Sequence, residues 1–142
     1  MRALEEIDRI QTEHPAGIAV GQTGEVFVSS YTRNTIRVFG SDGKLLRQWG
    51  TSGAGHSELN QPRGVAVDDQ GDVYVADTAN DRVQVFDREG AFLRTWGRPG
   101  SSEGEYDGVR DVAVDGDRRV YALDGGNERI QVFDHLGGYV RE

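Results

Sequence analysis

The sequence predicts an all-β protein made of three copies of one four-stranded antiparallel sheet. Apolar and polar residues alternate in short runs such as Arg82-Val83-Gln84-Val85-Phe86, the period-2 pattern of a strand with one buried face. Between the runs stand clusters of turn formers, and the chain carries 20 glycines. Above both lies a period. Phe39, Phe86 and Phe133 are 47 residues apart, as are Val26, Val73 and Val120, and Val20, Val67 and Val114. Trp49 and Trp96 share that spacing, and no insertion breaks it. An unbroken period of this length marks a repeat architecture and outranks any local reading.

Residues 1–14 form an N-terminal arm that fits the repeat poorly. Leu4, Ile7 and Ile10 recur at helical spacing among charges, which suits a short amphipathic helix, and the stretch is also long enough for an extra edge strand. Glu5, Glu6 and Asp8 interrupt any apolar core of a signal peptide. If Met1 is the native start, that points to the cytoplasm.

Three repeats follow, at 15–61, 62–108 and 109–142. Each opens with an inner strand: Gly17 to Val20, Gly64 to Val67, Asp111 to Val114. The constant alanine within it (Ala19, Ala66, Ala113) predicts a crowded centre where strands converge. After a Gly- or Asp-rich turn comes a second strand, Glu25 to Ser29, Asp72 to Ala76 and Arg119 to Leu123. A hairpin turn near Asn80 and its equivalents leads to a third, Thr35 to Phe39, Arg82 to Phe86 and Arg129 to Phe133. The outer strand is Leu45 to Trp49, then Phe92 to Trp96, and Tyr139 to Arg141 begins another. Helix content should be very low.

A four-stranded sheet of this size cannot bury both faces alone and must pack on copies of itself, radially in a propeller or stacked in a solenoid. Short strands with periodic aromatics favour the propeller. The pattern G-I/V-A-V-D, V-Y-V-A-D, N-x-R-I/V-Q-V-F-D and G-x-x-L-R-x-W-G resembles the NHL repeat, from about Pro15 to the C-terminus and most closely in the second copy. The first copy departs from it, with Ser30, Arg33 and Thr35 where the second has Asp77, Asn80 and Arg82, so a network of those three should be missing there. The resemblance implies a β-propeller, commonly of six blades, offering a platform to proteins, peptides or small ligands.

Three blades are too few to close and would leave two faces bare. Either the chain is half of a longer protein, or copies join. Met1 and Glu142 occupy equivalent points of the repeat, so two chains head to tail would make a closed six-bladed homodimer; a nine-bladed trimer is the other ring. The N-terminal arm would strap the joint.

Loops joining second to third strands and outer to inner strands share one face, expected to bind. Arg63 and Arg110, at equivalent inner-strand starts, fall near the channel mouth with Tyr31, Asn80, Asn127 and His56 as candidate ligand contacts. Two readings compete for the arginines: gripping an anion, or pairing with Glu58, Glu105 or Asp111. Asp77 with Arg82, and Asp124 with Arg129, combine carboxylate and guanidinium but repeat from blade to blade, so they read as a structural turn network and not as catalysts.

His14, His56 and His135 show no ligand spacing, and His135 falls on the opposite face, so no metal or other cofactor is expected. Asp68, Asp69 and Asp72 read as a hairpin turn. Cysteine is absent, which removes thiolate chemistry and leaves the redox compartment open. No apolar run approaches a membrane span. A net charge of −8 opposes nucleic-acid binding. The reading is a non-enzymatic scaffold or recognition module. Its rivals are a metal-dependent propeller lyase or lactonase and, against the charge, an RNA-binding propeller.

Overall fold

The computed structural model describes residues 12–142. The arm expected at 1–14 therefore lies almost wholly outside the described residues. Three four-stranded antiparallel sheets follow in order. The first holds β1 (Pro15–Val20), β2 (Val26–Ser30), β3 (Thr35–Phe39) and β4 (Leu45–Trp49). A connection bearing two short parallel strands, β5 (Thr51–Ser52) and β6 (Glu58–Leu59), leads to the second sheet. That sheet holds β7 (Pro62–Val67), β8 (Val73–Asp77), β9 (Arg82–Phe86) and β10 (Phe92–Trp96). The third holds β11 (Val109–Val114), β12 (Val120–Asp124), β13 (Arg129–Phe133) and β14 (Tyr139–Arg141).

Among the described residues, helix is confined to two single 3-10 turns, Thr78–Asn80 and Gly125–Asn127. Each ends on a left-handed residue, Asp81 (φ 51°) or Glu128 (φ 53°), matched by Asn34 (φ 58°) in the first sheet. The parallel pair β5–β6 was not legible: a two-residue strand has no period to read.

The sheets stand as blades, and the core is the two joints between them. Because side chains alternate across a strand, neighbouring residues of blade 2 enter different cores. Val65, Val73, Val75 and Phe86 join Phe27, Ile36, Val38 and Leu59 of the blade 1 side. Ala66, Tyr74, Ala76, Val83 and Val85 join Tyr106, Val109, Val112, Val120 and Phe133 on the other. All of β8 is buried for this reason.

The inner strands converge more tightly than the constant alanine implied, and at the residue pair before it. A Cβ on Gly17 would meet the Arg63 carbonyl at 2.2 Å, and one on Gly64 would meet the Asp111 Cα at 2.5 Å. The third equivalent position is Asp111 itself, which opens no such space for a following strand.

Positions one period apart expose what the arc lacks. Val65 and Val112 are each 5% exposed against the preceding blade, whereas Ile18 is 68% exposed. Ile36 and Val83 are 0% exposed against the following blade, whereas Ile130 is 53% exposed. The same alternation that buries blade 2 on both faces leaves blades 1 and 3 bare on one face each.

Candidate functional site

The connections from outer to inner strands are irregular backbone, and irregular backbone needs partners for its carbonyls. Blade 2 supplies them from its second hairpin. Arg82 donates through Nε to Asp77 Oδ2 at 2.8 Å, and through its fork to the carbonyls of Ala54, Gly55 and Glu58 at 2.8–2.9 Å. Gln84 Nε2 donates to the Glu58 carbonyl, Asn80 Nδ2 to the Gly53 carbonyl, and Asp77 Oδ1 accepts from Asn60 N–H.

Blade 3 repeats the arrangement. Arg129 reaches Asp124 and the carbonyls of Ser102 and Glu105, Gln131 reaches Glu105, Asn127 reaches Gly100, and Asp124 accepts from Asp107 N–H. Asp77, Asp124, Gln84 and Gln131 are completely buried, so these clamps hold charge where water cannot. Burial alone would push the Asp124 carboxyl up; hydrogen bonds from Asp107 N–H, Asn127 and Arg129, with the Arg129 charge, bring it below its ordinary value.

Asp77, Arg82, Asp124 and Arg129 thus form the turn network, and their reach extends to the neighbouring loop. Gln84 and Gln131 were missed as its members. Their signal was present: a polar residue recurs at one register position between two valines or between Ile and Val. In blade 1 the triad is absent. Arg33 pairs instead with Glu13 at 2.6 Å on the surface, Ser30 Oγ donates to the Glu13 carbonyl, and Thr35 Oγ1 is buried without a partner.

Of the six candidate ligand contacts, three come together. Arg63, Arg110 and Tyr31 line one cavity of about 870 Å³ at the start of the inner strands. Asn80 and Asn127 do not join them, because both amides are spent in the clamps. His56 does not either: its ring stacks on Phe92 of the outer strand at 4.3 Å. Tyr106, a loop residue, is wholly buried and accepts a hydrogen bond from Trp96 Nε1.

The arginines were given two readings, and the carboxylate pairing is not the one observed. Among the described residues neither Arg63 nor Arg110 makes an ion pair. Glu58 instead accepts from Gly55 N–H, Glu105 pairs with Arg98, and Asp111 accepts from Val112 N–H. Arg63 lies with its guanidinium carbon 4.6 Å from the centroid of the Tyr31 ring, and its Nε is buried without a partner.

The opposite face has its own buried centre. Asp68 Oδ1 accepts from the N–H groups of Gln70 and Asp72, closing the hairpin as expected of a turn. Its Oδ2 accepts from Tyr74 OH at 2.7 Å and from Arg118 Nε at 2.9 Å, across the second joint. Both carboxylate oxygens are thereby used. Among the described residues no three His, Asp or Glu side chains converge as a metal cage would require.

A family model for the NHL repeat matches residues 59–86, from the end of the loop clamped by Arg82 through the last residue of β9. The second blade is an NHL repeat. Around it the chain has an NHL-type β-propeller fold. Hydrazine synthase of Kuenenia stuttgartiensis is similar over 94% of this chain and 37% of its own, with a TM-score of 0.71 and 19% identity. Virginiamycin B lyase from Staphylococcus aureus matches 92% of this chain and 41% of its own, with a TM-score of 0.67 and 16% identity. A chain of a nidogen–laminin complex matches 87% and 45%, with a TM-score of 0.67 and 19% identity.

The chain spans roughly two-fifths of each of these structures. No curated protein gives a significant match. Two of the three similar structures are named as enzymes and the third as a nidogen–laminin complex, so the shared fold does not by itself assign a function.

Proposed function

We propose that this chain is a non-enzymatic recognition module, half of a six-bladed NHL propeller closed by a second copy. The observation that carries it is the contrast along one register. Ile18 and Ile130 are bare where Val65, Val112, Ile36 and Val83 are buried by a neighbouring blade. Two sheet faces of opposite sense, one at each end of the arc, suit head-to-tail closure.

The two joints inside the chain share a device, Trp49 covering Gly90 of the next blade and Trp96 covering Gly137. The joint would not copy the internal ones throughout, because Asp111 stands where Gly17 and Gly64 admit a neighbouring strand. In keeping with a non-catalytic role, the buried carboxylates Asp68, Asp77 and Asp124 are spent on backbone N–H groups, Tyr74 and arginines.

The test is the solution mass by light scattering on a sizing column, over a range of concentrations, for the wild type, Ile18→Glu and Ile130→Glu. A charge on either bare face should convert dimer to monomer with strand content unchanged, since neither side chain is in a core. A wild type that is monomeric throughout overturns the second-copy reading.

A further inference from the structure

Two arginines that make no ion pair among the described residues meet at one place. Arg63, from the start of β7, and Arg110, from the start of β11, line the same cavity with Tyr31, Ile18, Leu123 and Asp111. Two guanidinium groups brought into one cavity repel each other unless an anion lies between them. Glu58 and Glu105 are turned to a backbone N–H and to Arg98, and Asp111, which lines the cavity, gives one oxygen to Val112 N–H without an ion pair to either arginine.

The arginine side chains are also held in place. Tyr31 lies under the Arg63 guanidinium at 4.6 Å, a stacking that fixes the plane and leaves its edge for hydrogen bonds. Arg63 Nε is buried without an acceptor, so a bound oxyanion would be met by the terminal nitrogens of the guanidinium. Arg110 lies flat against Gly125, where a Cβ would come within 2.5 Å of its Nε; the equivalent positions hold Tyr31 and Thr78. The residue under each arginine thus suits that arginine's path.

We propose that Arg63 and Arg110 form an oxyanion-binding site at the channel mouth, taking a small anion through its carboxylate or phosphate oxygens. The proposal rests on the recognition reading of this face, but needs only residues of one chain. Charge makes it specific. At a net charge of −8 the molecule as a whole repels anions, so saturable binding requires a local site.

The experiment is calorimetric titration with citrate and with inorganic phosphate, at ionic strength held constant with sodium chloride. At least one anion should bind saturably, and the choice between them separates a carboxylate ligand from a phosphate ligand. Arg63→Gln and Arg110→Gln should each weaken binding tenfold or more, and the double variant should abolish it. Arg119→Gln, exposed on the opposite face, should bind as the wild type does. Circular dichroism confirms that each variant keeps its strands.

Saturable binding by neither anion, or equal binding by the double variant, overturns the site. Light scattering on the same samples keeps the two readings apart. A monomer that binds overturns the ring alone, and a dimer that does not bind overturns the site alone.

Discussion

The indole of Trp96 covers Gly137 so closely that a Cβ on the glycine would stand 2.7 Å from the ring. The glycine is also left-handed, at φ 93°. Two penalties therefore fall on Gly137→Ala, backbone strain and collision with an aromatic wedged into the joint. Gly104 separates them, since it is left-handed (φ 77°) with nothing within 4 Å of its Cβ position. Gly104→Ala should cost about 1 kcal/mol of strain. Gly137→Ala should cost about 3 kcal/mol, because overpacking adds to it. Urea denaturation of both variants measures the difference.

A single register position explains why one tryptophan is satisfied and the other is not. Trp96 Nε1 donates to Tyr106 OH at 3.2 Å, whereas Trp49 Nε1 is buried without a partner. Leu59 occupies the place equivalent to Tyr106, and both are fully buried. Leu59→Tyr should supply the missing acceptor and stabilise the fold by about 1 kcal/mol. Leu59→Phe brings the same ring without the hydroxyl and should give no such gain. Comparing the two thermal midpoints isolates the hydrogen bond.

Much of this was legible because the chain repeats its instructions. The bounds of β3, β9 and β13 match those read from alternation, and the outer strands match too, since clean period-2 runs flanked by Gly turns leave little freedom. The pairs Asp77–Arg82 and Asp124–Arg129 were readable because both recur at one register position. What stayed hidden depended on the packing of separate blades. Nothing local says that His56 stacks on Phe92, that Tyr106 turns inward, or that Asn80 serves a loop carbonyl 27 residues away.

Acid stability should depend on Asp68. Burial alone would push its carboxyl up, but hydrogen bonds from Tyr74, Arg118 and the backbone N–H groups of Asp72 and Gln70 bring it below its ordinary value. A carboxyl depressed in the folded state stabilises above the unfolded pKa of about 3.9, and that contribution is lost as pH falls below it. The wild type should therefore lose stability progressively below about pH 4. Asp68→Asn should be less stable at pH 7 by about 2 kcal/mol, as Arg118 and Tyr74 lose their acceptor, and flatter below pH 4. Denaturant midpoints measured from pH 2 to 7 decide it. An equal acid slope in the variant would assign the loss to other carboxylates.

The alkaline side has the opposite sign. Burial raises the Tyr106 hydroxyl above its ordinary value, and Tyr74 is raised by burial and by the Asp68 carboxylate it bonds. Both must be neutral to fold. Stability should hold up to the unfolded tyrosine pKa of about 10 and fall above it, with phenolate absorbance rising only as the chain unfolds. Tyrosines that ionise while the strands remain intact would place these hydroxyls in water.

Three arginines one period apart distinguish a joint inside the chain from a joint between chains. Arg47 Nε donates to the Arg88 carbonyl, and Arg94 Nε donates to the His135 carbonyl, each at 2.6 Å and each onto the third-strand turn of the following blade. Arg141 is the next in register and is exposed. In a closed ring its counterpart acceptor is the Ser41 carbonyl of a second copy. Arg94→Met should then destabilise the folded chain by about 2 kcal/mol, because a half-buried carbonyl loses a charged donor. Arg141→Met should leave that stability unchanged at low concentration and weaken self-association about tenfold. Sedimentation equilibrium alongside urea denaturation reads both quantities. Identical self-association in Arg141→Met and wild type would mean that the third blade does not meet its neighbour as the first two do.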